Sequence, residues 1–153
     1  MSTIRVREYL HNINREDLEI LEFPVSSATV ELAAKAVGVE PGMIAKSLSF
    51  KLKEGAVIVV LSGTARLSNH KFKEFFGCRA KMLKPEETEE ITGHAVGGVC
   101  PFGLKDGVNV FLDNSLKAYD IVYPAAGASN NAIRIKVSEF ADITNGQWAD
   151  LSE

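Results

Sequence analysis

The chain is short of sulfur and histidine and has no long apolar run. Of its 153 residues, two are cysteines, Cys78 and Cys100. Two thiols cannot form the disulfide framework of a small secreted domain, and they fit a reducing compartment. No apolar stretch approaches the roughly 20 residues that span a bilayer. The opening residues Met-Ser-Thr-Ile-Arg-Val-Arg-Glu lack the apolar core of a secretion signal, so a cytoplasmic location and no membrane partner are the expectation. The three histidines, His11, His70 and His94, stand in no spaced set with cysteines or carboxylates. No metal site is legible and no cofactor is expected. A P-loop and a Gly-x-Ser-x-Gly elbow are also missing. Excess positive charge is absent as well. The formal net charge is −3, which excludes a general nucleic-acid binder by bulk electrostatics. Lys71, Lys73, Arg79, Lys81 and Lys84 lie close in sequence, and the simpler reading of that cluster is a solvated face.

What the chain does hold is a normal globular composition, 46% hydrophobic and 24% charged, enough for one domain with its own core. Two features stand out against it. The first is residues 93–103, Gly-His-Ala-Val-Gly-Gly-Val-Cys-Pro-Phe-Gly, with four glycines and a proline in eleven positions. Neither a helix nor a central strand tolerates that composition. It reads as a shaped loop whose backbone N–H groups can face a ligand. Gly-Gly alone reads equally well as a tight turn. The loop follows a helix pattern and precedes a strand pattern, the reverse of a dinucleotide fingerprint. Cys100 within it has no sequence partner that identifies a base and reads as a packed thiol. His94 reads as a loop histidine rather than a base.

The second feature is Lys46. Over 44–52 the even positions are Ile44, Lys46, Leu48, Phe50 and Leu52, and the odd ones Ala45, Ser47, Ser49 and Lys51. A strand alternates faces with period two, so the even set is the expected core face. Lys46 then either lines a cavity or lies in a loop ahead of a strand that begins only at Ser47.

The remaining pattern interleaves helices and strands. Helices are expected over 3–13, over 29–37 with Ser26 or Ser27 as cap, after Ser68, from Pro85 to Gly93, and after Ser138. Strands are expected over 18–23, 44–52, 56–61, 78–83, 108–112, 120–123 and 132–137. The stretch 56–61 is continuously apolar and reads as a central strand buried on both faces. Phe72, Phe75 and Phe76 read as core. In 78–83, Cys78, Ala80 and Met82 are expected inward. Short turns join several strand pairs, so the fold is expected to be a single α/β domain with a twisted mixed sheet of about six or seven strands and flanking helices.

Taken together, Val25-Ser-Ser-Ala-Thr-Val-Glu-Leu-Ala-Ala, Ile44-Ala-Lys-Ser-Leu, the run from Thr92 to Gly103, and Asp113 with Ala125-Ala126-Gly127 resemble the YbaK/ProX aminoacyl-tRNA deacylase family. That family includes the editing domain inserted in bacterial prolyl-tRNA synthetases. The resemblance spans nearly the whole chain. It implies a small α/β fold around a partly closed mixed sheet, and metal-free hydrolysis of the ester joining a wrong amino acid to the 3′ end of tRNA. It implies Lys46 as the essential lysine and Gly97, Gly98, Pro101, Phe102 and Gly103 as the substrate-binding loop, with Gly127 and Ser129 beside them; the backbone N–H groups near Gly98 and Val99 are the expected donors to a developing oxyanion. The implied partners are the aminoacyl-tRNA acceptor end and an aminoacyl-tRNA synthetase. Some members carry serine or histidine near 125–127, where this chain has Ala125 and Ala126; Ser129 or Asn130 is the polar group available nearby. A non-catalytic module that binds tRNA ends, nucleotides or a synthetase is the rival expectation.

Overall fold

The structure is a computed structural model that describes residues 2–153. Five helices surround a six-stranded mixed sheet and a separate two-stranded ribbon. In chain order the helices are α1 (Ser2–Asn12), α2 (Val30–Val37), α3 (Asn69–Phe76), α4 (Pro85–Thr92) and α5 (Val137–Thr144). The strands are β1 (Ile20–Glu22), β2 (Ile44–Lys51), β3 (Ala56–Ser62), β4 (Val108–Asp113), β5 (Ile121–Pro124), β6 (Asn131–Ile133), β7 (Ile135–Lys136) and β8 (Gln147–Ala149). The large sheet runs β7-β5-β2-β3-β4-β8, and β1 pairs with β6. β2–β3 and β5–β7 are antiparallel; β2–β5, β3–β4 and β4–β8 are parallel.

β3 is the axis of the core. All seven of its residues are buried, as expected for an apolar, β-branched run paired on both edges. Ile58 and Val60 face one layer with Val6, Phe102, Leu112 and Phe140. Val57, Val59 and Leu61 face the other with Phe50 and Phe72.

Several local expectations shift. Thr29, not Ser26 or Ser27, caps α2, accepting from the Leu32 N–H. Ser138 lies inside α5 and caps nothing, because that helix starts directly from β7. The 132–137 strand divides in two: β6 joins the ribbon while β7 pairs with β5. β8 closes the far edge through Trp148 and Ala149, an element the sequence pattern did not announce. Phe75 is half exposed; it stacks edge-on against Phe76 and Phe111 at the rim of the core. Residues 78–83 form no strand beyond a single bridge from Met82 to Phe50, and Met82 points outward, 55% exposed, while Leu83 is buried.

Candidate functional site

The site arises where β2 loses its neighbour. On one edge β2 is paired along its whole length with β3. On the other, β5 pairs only with Ile44 and Ala45 and stops at Pro124. Further along, the Leu83 N–H donates to the Ser49 carbonyl and the Lys51 N–H to the Lys81 carbonyl. Ser47, in between, has no strand partner on that edge. Ladder alternation turns the N–H and C=O of Ser47 the same way as those of Ser49 and Lys51, into the gap. A cavity of about 410 Å³ occupies the gap and wraps around the strand edge. Its walls include Thr29, Lys46, Ser47, Thr88, Val99 and Asn131.

Lys46 enters from one face of β2, and Ser47 and Ser49 from the other. The strand begins at Ile44, so Lys46 is a strand residue. Its Nζ donates to the carbonyls of Ala65 at 2.6 Å and Gly63 at 3.3 Å, which leaves one ammonium proton for a ligand. Among the described residues it is the only Lys, Arg, Asp or Glu in the cavity lining. Desolvation holds its pKa below the usual lysine range; Glu31 opposes the shift and Arg66 adds to it. The carbonyls that hold it are themselves fixed. A Cβ on Gly63 would meet the Pro41 carbonyl oxygen at 2.2 Å, so only glycine fits there. The preceding Ser62 donates its hydroxyl to the Gly42 carbonyl and its N–H to Ser115 Oγ.

Asp113 anchors that network from below. It is fully buried and accepts from the N–H groups of Ser115 and Leu151 at 2.9 and 2.7 Å. Burial alone would raise its pKa, but hydrogen bonds from Ser115, Leu151 and Ser152 outweigh it and hold the carboxyl below the usual range. Asp113 is thus a support and does not line the cavity.

The glycine loop contributes unevenly. Gly97 and Val99 line the cavity, as does the exposed Val96. Gly98 is buried: its Cβ would strike the Gly127 carbonyl at 2.6 Å, so the two glycine loops touch backbone to backbone. The Gly98 N–H is spent on the Ala95 carbonyl at 2.9 Å and is not one of the exposed donors that the glycine pattern suggested. No hydrogen bond among the described residues engages the Val99 N–H. Phe102 does not reach the cavity; it lies fully buried between Tyr9 and Phe140. Pro101 and Gly103 line a separate depression beside Tyr9, with Gly103 packed on the Arg5 backbone.

A histidine clamp sets the shape of the loop. His94 is completely buried, and its Nε2–H donates to the Phe102 carbonyl at 2.7 Å, with Cys100 Sγ 3.5 Å away. Residues 94 and 102 are therefore tied across the loop. Its Nδ1 is buried without a partner. Desolvation draws the His94 pKa below the ordinary histidine value; the bond to Phe102 opposes the shift and Arg5 adds to it. Burial pushes the Cys100 thiol up to about 12, so it is a packed group and no nucleophile.

The second loop departs from expectation too. Ala125 lines the cavity, and Gly127 packs against the Ser2 backbone at φ 92°. Ser129 and Asn130 are exposed and bind neighbouring backbone: the Ser129 carbonyl accepts from Ser26 and Ser27, and the Asn130 amide donates to Phe23. Among the polar side chains of the wall, Asn131 spends its amide on the loop, accepting from the Ala126 and Ala128 N–H groups and donating to the Ala126 carbonyl and Thr3 Oγ1, and Thr88 spends its hydroxyl on the Lys84 carbonyl; Ser47 differs. The Ser47 Oγ is buried and has no hydrogen-bond partner. Sequence reading passed over Ser47 because alternation placed it on the solvent side. The available signal was two serines, Ser47 and Ser49, in a strand whose neighbours are apolar.

Residues 25–143 match the aminoacyl-tRNA editing domain. The chain belongs to that family. It is 43% identical over 153 residues to the uncharacterized protein YwhH of Bacillus subtilis, covering 99% of this chain and 97% of that one. It is 29% identical to EbsC of Enterococcus faecalis, provisionally named a Cys-tRNA(Pro)/Cys-tRNA(Cys) deacylase, over 81% of this chain and 77% of that one. It is 32% identical to the proline–tRNA ligase of Thermosipho melanesiensis, over 90% of this chain but 24% of the ligase. Among solved structures, one provisionally described as a trans-editing enzyme for prolyl-tRNA synthetase superposes with a TM-score of 0.92 at 37% identity, covering 99% of this chain and 97% of that one. Among the described residues of this editing domain no helix is long and apolar enough to cross a membrane.

Proposed function

We propose that this editing domain hydrolyses the ester between a mischarged amino acid and the 3′-terminal ribose of tRNA, with the open edge of β2 as its active site. The observation that carries the reading is Lys46: one cation, held by two carbonyls, in an otherwise uncharged cavity. Its remaining proton points to an anionic or ester oxygen of the acceptor end. The unpaired N–H groups of Val99 and Ser47 are positioned to receive charge as it develops on the carbonyl oxygen; one such donor is worth about 10²–10³ in rate. The attacking oxygen comes from water, because attack by the neighbouring ribose hydroxyl would only move the acyl group along the ribose and release nothing. Ser47 is not the nucleophile, because its Oγ has no hydrogen-bond partner and hence no base. Water adds to the ester carbonyl, and collapse of the tetrahedral adduct breaks the bond to the ribose oxygen, which takes up a proton from the attacking water, and releases the amino acid and uncharged tRNA. The buried, unpartnered Ser47 hydroxyl is the polar group that tells one small side chain from another. Editing supplies what a synthetase pocket cannot, since a single methylene is worth only about 1–3 kcal/mol.

A panel of tRNAs mischarged with alanine, cysteine, serine and threonine tests the proposal. Hydrolysis of at least one above its spontaneous rate is the expected result. Salt-sensitive binding without hydrolysis of any would replace the enzyme with a non-catalytic binding module.

A further inference from the structure

A row of unpaired cations leads away from the cavity mouth. The antiparallel bridge between Phe50 and Met82 places Ser49 opposite Leu83, and Lys51 opposite Lys81. Ser49 and Leu83 are cavity walls. Two residues on, a step of roughly 7 Å, the same face of the ribbon carries Lys51 and Lys81. Arg79 lies two residues further along its segment, and Lys84 sits between the wall residues Leu83 and Pro85. All four are exposed, and none takes part in an ion pair among the described residues. Like charges directly opposite one another across a strand pair cost stability. Lys51 and Lys81 pay that cost with no carboxylate between them. α4 follows directly on Lys84 and presents Glu86, Glu89 and Glu90, all exposed, so the cationic row ends at Lys84 and a polyanion is repelled beyond it.

We propose that Lys51, Arg79, Lys81 and Lys84 form the docking strip for the phosphate backbone of the tRNA acceptor stem, guiding its 3′ end past Met82 into the cavity. The inference rests on the deacylase reading for its choice of RNA. A nucleic acid whose terminal nucleoside enters the cavity must carry its next phosphates across the mouth, and this row is the cationic exit. The net charge of −3 makes the strip a local feature, one that bulk charge conceals.

The experiment compares wild type with the triple variant Lys51→Ala/Arg79→Ala/Lys81→Ala, and with Lys136→Ala on β7 at the opposite end of the sheet. Binding of uncharged tRNA is measured against salt, and hydrolysis is measured on mischarged tRNA and on the same amino acid esterified to adenosine alone. Each phosphate contact removed should lower the slope of log affinity against log salt by about 1, so the triple variant should lose about 3. Its KM for mischarged tRNA should rise at least tenfold, with turnover of the adenosine ester unchanged. Lys136→Ala should bind with the wild-type slope. Lys81→Gln should weaken tRNA binding without lowering the melting temperature, a combination that a structural role does not produce. A triple variant with wild-type affinity and slope overturns the strip. If wild type hydrolyses neither substrate the deacylase reading fails, and the salt slope still decides the strip.

Discussion

β2 and β3 are antiparallel neighbours of eight and seven residues, and their contrast locates the chemistry. β3 is paired on both edges, buried on both faces and carries its only polar side chain, Ser62, at the end. β2 is paired on one edge only through its middle, and that middle reads Lys46, Ser47, Leu48. The two strands share a ladder and much of a core, yet one is scaffold and the other carries the proposed site. What separates them is the missing stretch of partner backbone between Pro124 and Leu83. A sheet interior that lacks a neighbour for three residues exposes N–H and C=O groups at a depth where water is scarce. A ligand that satisfies them gains accordingly.

The contrast can be broken from the scaffold side first. Ile58→Ala removes a fully buried side chain from the centre of β3 and should cost about 2–5 kcal/mol of unfolding free energy, read by chemical denaturation. The same truncation on the β2 edge, at the partly exposed Leu48, should cost clearly less.

The loop clamp is the next largest effect. His94→Leu leaves the Phe102 carbonyl without its donor, a loss of about 1–3 kcal/mol. It also removes a titration. Because burial keeps His94 neutral in the folded protein, the unfolded chain binds the extra proton first as pH falls. Stability attributable to His94 is thus complete above the unfolded histidine value, about 6.5, and is lost as pH drops below it. Asp113, with its pKa lowered in the fold, acts in the same direction at lower pH, beginning near the unfolded value of 3.8. Denaturation midpoints from pH 8 to 5 should decline for the wild type and stay flatter for His94→Leu; parallel curves would remove the clamp from the account.

The smallest effect on stability sharpens the comparison most. Ser47→Ala removes a hydroxyl that pairs with nothing in the folded chain, so the melting temperature should hold or rise slightly. Deacylation should nonetheless change, with the ratio of rates between serine- or cysteine-charged and alanine-charged tRNA moving several-fold. An unaltered ratio would remove Ser47 from side-chain selection.

Much of this was legible from residue order alone. The buried strand announced itself by six consecutive apolar positions from Ala56 to Leu61, and Lys46 by its place in an alternating stripe. The mixed sheet followed from short turns between strand patterns. The rest depended on long-range pairing, which periodicity does not encode. Nothing local says that β5 stops at Ala45, so the gap beside Ser47 was invisible and the serine was read as solvated. Glycine content marked 93–103 as a shaped loop, but its N–H groups are divided between an internal turn at Gly98 and the open position at Val99. Phe102 is a binding residue by the family resemblance and is core by its neighbours in space. Ser129 and Asn130 were near enough in sequence to replace the polar group absent at Ala125, yet Asn131, one residue on, turns inward instead.

The account depends most on the amine of Lys46, and Lys46→Ala measures it directly, assayed on whichever mischarged tRNA the wild type cleaves fastest. The side chain is only partly buried, so the fold should survive at a cost of about 1 kcal/mol for the lost carbonyl bonds, checked by its melting curve. Deacylation should fall by about 100-fold or more. A folded Lys46→Ala protein that turns over at the wild-type rate would contradict the assignment of the β2 edge as the active site.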